Sequence, residues 1–122
     1  MNRKWFSLWF SNLGRVWEEK NLQAIPSLFA DKFEYYETPF EKPYTTKEGL
    51  LKLWENVPQS QKDIKFAFDI ISATENIGIA HWCASFTRIK QSKRSVLDGI
   101  FLVKLNNKGL CTLFKQWWVT KE

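Results

Sequence analysis

Cysteine and histidine are nearly absent from this sequence, with two Cys and one His among 122 residues. Cys83 and Cys111 each stand alone inside an apolar alternating run and neither belongs to a Cys-x-x-Cys pair, so neither a disulfide framework nor a thiolate metal centre is supported. A single His leaves too few ligands for a structural zinc site, and the expectation is no metal. Long apolar runs are missing as well, since nothing approaches the ~20 residues of a membrane span. The opening Met1, Asn2, Arg3 and Lys4 before Trp5 and Phe6 imitate a signal peptide, but Ser7, Ser11, Asn12 and Arg15 break the apolar stretch and no small-residue cleavage site follows. These absences predict a reduced, cytoplasmic protein. No internal repeat, low-complexity tract or linker divides the chain, and its length predicts one domain over 1–122.

What is present in excess is ring surface. Seven Trp, ten Phe and three Tyr make up 16% of the residues. A chain of this length buries roughly two-thirds of the surface its unfolded form exposes. A simple two-layer core would not easily hide so many bulky rings, so some are expected to line a cavity. The net charge of +5 favours acidic partners only weakly. Its densest basic run, Arg88, Lys90, Lys93 and Arg94, reads as a solvated hairpin tip, because no nucleic-acid-binding motif accompanies it.

Trp5, Leu8, Trp9, Leu13, Val16 and Trp17 recur at three-and-four spacing and predict an amphipathic first helix packed on the core rather than laid on a membrane. Asn21 is placed to cap a short helical segment carrying Leu22, Ile25, Leu28 and Phe29 and ending near Asp31. Phe33, Tyr35 and Glu37 then alternate with Glu34, Tyr36 and Thr38, which predicts a strand with Glu37 on the Tyr35 face, closed by Pro39 and Pro43. Thr45 followed by Glu48 has capping-box spacing, and Leu50, Leu53, Trp54 and Val57 supply the stripe of a third helix that Pro58 stops. From Asp63 the period becomes two, with strands expected at about 64–72, 77–89, 95–105 and 110–120. Turns at Glu75-Asn76, at 91–94 and at 106–109 make these antiparallel hairpins in series.

This order, together with LQAIPSLFAD at 22–31, YYETPF at 35–40, LDGIF at 97–101 and QWW at 116–118, resembles the SnoaL-like branch of the nuclear transport factor 2-like superfamily. The resemblance implies an α+β fold of the cystatin-like type, in which a cone-shaped, curved mixed β-sheet and three N-terminal helices enclose a pocket. It also implies a frequent homodimer through the outer sheet face. It does not imply one activity, because the superfamily includes isomerases, cyclases, dehydratases, epoxide hydrolases and proteins that only bind or dimerise.

In the isomerase branch a carboxylate at the end of the first strand is the general base, and a protonated acid on a later strand holds the developing oxyanion. Alignment through Phe29 to Asp31 puts the first position on Glu37, and LDGIF puts the second on Asp98. Both are carboxylates, and Asp98 is expected to project into the cavity, where desolvation raises a carboxyl pKa. The bland alternatives are a solvated strand-end Glu and an Asp bonded to a nearby turn. Leu13 stands where that branch has a phenol donor, and Val96 where the epoxide hydrolases have an Arg two residues before an Asp, so neither of those mechanisms is supported. His81 lies opposite to Trp82, Ala84 and Phe86 by strand parity and is assigned to the outer sheet.

Trp17, Tyr35, Trp54, Trp82, Phe86, Phe114, Gln116 and Trp118 are expected to line the pocket, their alternative being ordinary core, while Trp117 points away. The functional expectation is acid/base chemistry on a small, largely apolar carbonyl or polyketide-like compound by Asp98 or Glu37, with Gln116 orienting it and no cofactor. The competing readings are a non-catalytic ligand-binding module and a dimerisation scaffold. A small apolar or amphipathic molecule and a second copy of the chain are the expected partners, with no nucleic acid and no membrane.

Overall fold

The computed structural model describes residues 3–121, so Met1 and Asn2 of the opening basic stretch and Glu122 lie outside the described residues. Helix α1 spans Arg3–Glu18 and buries Phe6, Trp9, Phe10, Leu13, Gly14, Val16 and Trp17. Two members of the expected stripe fall outside this face: Trp5 is 40% exposed and Leu8 63%. The face is rotated toward Phe6, Phe10 and Gly14 because the sheet crosses there. A Cβ at Gly14 would overlap the Phe66 ring, so only glycine lets the helix approach that closely.

Two single-turn 3₁₀ segments follow, Leu22–Ala24 and Pro26–Leu28, and Asn21 makes no side-chain cap to the first. The expected helix end near Asp31 is therefore too late. Strand β1 already begins at Phe29 and runs to Tyr36. Helix α2, Lys47–Trp54, is capped by Thr46, whose Oγ1 accepts the Gly49 amide at 3.0 Å, so the cap is one residue later than the Thr45–Glu48 spacing indicated. Thr46→Ala should lower stability by about 0.5–2 kcal/mol, read as a shift of the urea midpoint. Pro58 does not end this helix. It lies in the first turn of a separate short helix, α3, Val57–Ser60, where a missing N–H costs nothing.

Strands β2 (Gln61–Ala73), β3 (Ile77–Arg88), β4 (Lys93–Leu105) and β5 (Cys111–Lys121) complete one curved sheet in the order β1-β5-β4-β3-β2. The pairs β2–β3, β3–β4 and β4–β5 are antiparallel hairpins, whereas β1 closes the far edge by running parallel to β5. The mixed sheet therefore has the form expected from the element order.

Register decides which side chains meet. Ala80 is opposite Phe101, Trp82 opposite Gly99, and Gly99 opposite Trp118, so these residues share the concave face with Gln116 and Phe114. The rings on that face form a continuous floor across four strands. Tyr35 stacks on Phe114 at 4.4 Å, Phe114 meets Phe101 at 5.0 Å, and Phe101 stacks on Trp82 at 4.7 Å. Helix α1 covers part of this floor, with Phe10 stacked on Phe101 and Trp9 edge-on to Phe29. The rings that α1 leaves uncovered face a cavity.

Candidate functional site

A cavity of about 330 Å³ opens between the concave face and the helical side, at the low end of the ~300–1,000 Å³ typical of small-molecule sites. Trp17 and Leu13 reach it from α1, Leu53 and Trp54 from α2, and the floor rings from the sheet. It brings together Glu37, Tyr35, Trp17, Trp54, Trp82, Phe86, Phe114, Gln116 and Trp118. Gly99 keeps the middle of this wall close-packed, since a Cβ there would run into the Trp117 carbonyl and the Trp118 side chain.

The polar end of the cavity lies where β1 leaves the sheet. Glu37 is the residue after the end of β1, and Gln116 Nε2 from β5 donates to its backbone carbonyl at 3.2 Å and to its Oε2 at 3.3 Å. Burial among rings pushes the Glu37 carboxyl above its ordinary pKa, and the neighbouring Glu41 carboxylate pushes it further. Glu41 is itself held by the Thr38 hydroxyl, which donates to Oε1 at 3.0 Å. The Tyr35 phenol is raised well above its usual value, first by burial and then by Glu37, while the Trp54 and Gln116 side chains act on it in the opposite sense. Glu37, Gln116, Tyr35 and Trp54 thus form one polar corner in an otherwise aromatic chamber. A carboxyl group with a raised pKa, half-buried and oriented by an amide, is equipped to accept or return a proton.

Asp98 is not in this chamber, which corrects the expectation that it projects inward. It pairs with Cys83 on one side and Val119 on the other, both members of the outer set, and the inward positions beside it are Leu97 and Gly99. An inward Trp82 and an inward Asp98 are incompatible, because the register that pairs Trp82 with Gly99 fixes Asp98 on the opposite face. The carboxyl group instead meets His81 Nε2 at 2.9 Å on the outer sheet, with Asp69 3.9 Å from Nδ1. His81 is thus where strand parity put it.

Arg88 was assigned to the solvated basic tip, yet it belongs to the cavity wall. Its Nε donates to the buried Ser95 hydroxyl at 2.7 Å, and its guanidinium lies 5.3 Å from the Phe86 ring centre. The signal was available, since Arg88 continues the even-numbered inward series of Trp82, Ala84 and Phe86. Gln61 was missed because it precedes the period-two run. Its Oε1 accepts the Trp17 indole N–H at 2.9 Å. Trp9 is likewise satisfied, donating to the Leu28 carbonyl at 2.9 Å. The buried indole N–H group of Trp82 finds no hydrogen-bond partner among the described residues. No group of three or more His, Cys, Asp or Glu side chains among the described residues is placed to hold a metal ion.

The sequence pattern of the SnoaL-like domain matches residues 11–113. A search of curated protein sequences finds no match. Among solved structures, a putative scytalone dehydratase from Novosphingobium aromaticivorans superposes with a TM-score of 0.81 at 12% identity, over 97% of this chain and 85% of the other. The epoxide hydrolase/cyclase-like enzyme SalBIII, described as acting in pyran ring formation in the polyether salinomycin, superposes with a TM-score of 0.77 at 11% identity, over 96% of this chain and 89% of the other. At such identities the likeness is one of fold.

Proposed function

Because the chain belongs to the SnoaL-like domain family, we propose that its cavity takes up a small, largely apolar carbonyl or polyketide-like compound and moves a proton on it, with Glu37 as the acid/base group. The observation that carries this reading is the half-buried Glu37 carboxyl, raised in pKa by the rings around it and oriented by Gln116. The ionised carboxylate takes a proton from the carbon next to the carbonyl, leaving an enolate. The resulting acid returns that proton to another carbon in an isomerisation, to the alkoxide formed when the enolate carbon adds to a second carbonyl in a cyclisation, or to a β-hydroxyl group that leaves as water in a dehydration. This step balances without a cofactor. The dehydratase and cyclase-like names of the two structural neighbours support the reaction class. Native mass spectrometry of the purified protein, followed by deuterium exchange into ring ketones in heavy water, tests the proposal. Exchange above the buffer rate supports it, and a wild-type rate equal to buffer sinks it.

A second reading, which coexists with the first, concerns the convex face. Val119 is 71% exposed there and Trp117 42% on β5, with the exposed Val96 on the adjacent strand β4. An apolar surface of this kind is costly in water and marks an interaction site. We assign it to a second copy of the chain. Light scattering at micromolar concentration should return twice the 14.5 kDa chain mass, and Val119→Glu should shift that mass toward the monomer. A wild-type monomer removes the dimer. A cytoplasmic location is part of the same reading, supported by Cys83 and Cys111 both being free thiols.

A further inference from the structure

Three indole N–H groups inside the structure fare differently. Those of Trp9 and Trp17 are each given a protein acceptor at 2.9 Å, whereas that of Trp82 is buried without one. Trp82 lines the cavity. The residue is only 3% exposed, and its ring is stacked on Phe101 and flanked by Trp17 and Phe66. A buried donor without an acceptor carries its desolvation penalty uncompensated, and a phenyl ring would fill much of the same wall without that cost. An orphaned donor on a residue that lines the cavity therefore calls for an acceptor that the chain itself does not supply.

The chemistry of the cavity says what that acceptor is. The floor is aromatic and flat from Tyr35 through Phe114 and Phe101 to Trp82, so a planar ring system lies along it with little ordering cost. Glu37 and Gln116 occupy the β1/β5 end of this floor and Trp82 the β3 end. We propose that the Trp82 indole N–H is the donor that receives a carbonyl or hydroxyl oxygen of a ring-containing ligand lying on the aromatic floor. An N–H donor holds neutral oxygen and a developing oxyanion alike, and it binds the latter more strongly. This is a hydrogen-bond role that neither Leu13 nor the outward Asp98 can fill. The inference rests on the cavity being a ligand site, and it does not require that Glu37 move a proton.

The test uses the full chain and two probes of matched shape, 1-tetralone, which carries a ring carbonyl, and tetralin, which lacks it. In ¹⁵N-labelled protein the Trp82 indole N–H resonance, assigned by its disappearance in Trp82→Phe, should move downfield with tetralone and stay in place with tetralin. Trp82→Phe should weaken tetralone by about 5- to 10-fold more than it weakens tetralin, the worth of one hydrogen bond. The difference between the two probes distinguishes loss of a donor from damage to the wall, which both would feel equally. Should Trp82→Phe fail to fold, the resonance is assigned in the wild type by its through-space contacts to the Phe101 and Phe66 rings, and the wild-type indole shift alone decides. Tetralone binding that leaves the Trp82 resonance unmoved overturns the inference while the pocket reading stands. Failure of both probes to bind overturns both, and loss of proton exchange in a protein that still distinguishes the probes overturns only the role of Glu37.

Discussion

Replacing Glu37 by Gln is expected to lower proton exchange into a bound ring ketone by about 10²–10⁴-fold, the usual worth of a positioned acid/base group. The amide keeps the size of the side chain and a carbonyl oxygen for Gln116 Nε2, so affinity for the same ketone should change by less than about threefold. A loss confined to affinity would show that the carboxylate only positions the ligand. The wild-type rate should also depend on pH in one sense. The ionised carboxylate is the base, and burial together with Glu41 raises its pKa from 4.5, so the rate should rise with pH through that raised value.

The same shift sets a sign for stability. Between the unfolded pKa, near 4.5, and the raised folded value, the folded chain holds the Glu37 proton more tightly than the unfolded chain does. Its contribution is therefore fully present below the unfolded pKa and is lost as pH rises through the folded pKa. Urea midpoints measured across that window should fall with rising pH in wild type relative to Glu37→Gln. Parallel curves for the two proteins would show that the folded structure does not raise the Glu37 pKa.

Much of this arrangement was legible from periodicity. Alternation along β3 and β5 placed Trp82, Phe86, Phe114, Gln116 and Trp118 on one face, and the same alternation placed His81 and Trp117 on the other. What alternation within a strand does not show is register between strands. Asp98 was oriented by a local pattern, LDGIF, and a one-residue offset in such a match turns a side chain to the opposite face. Had the requirement that Trp82 and Trp118 flank one inward residue been applied, Gly99 would have taken that position and Asp98 would have been turned outward. Helix ends failed for a different reason. Thr45 and Thr46 are both competent caps, and the selection between them comes from how the chain enters α2 after the bridge between Tyr35 and Tyr44. The orphaned Trp82 indole is a tertiary property, since whether a Trp meets an acceptor depends on residues as distant as Gln61 from Trp17.

Phe101→Ala should produce the largest loss of stability, about 3–5 kcal/mol. Phe101 is only 2% exposed and is the ring on which the layers meet. It stacks on Phe10 of α1 at 5.8 Å and on Trp82 at 4.7 Å, and it meets Phe114 on the neighbouring strand β5 and Phe66 on β2. Truncation removes the buried ring and leaves a void that cannot collapse, because the flanking rings are held by β2, β3 and β5 as well as by α1. The void would join the existing cavity, since Phe101 already forms part of its wall. Water entering the joined space finds mainly ring faces and recovers little of the loss. For a chain of this size the thermal midpoint should fall by about 10–25 °C, and the urea midpoint should fall with an unchanged slope. Phe101→Leu, which retains most of the volume, should cost distinctly less. The alanine variant should also bind tetralone more weakly, because the floor between Glu37 and Trp82 loses its central ring. A destabilisation below about 1 kcal/mol would mean that Phe101 is not packed between helix and sheet, and the aromatic floor would then not be the rigid surface on which a ligand is held.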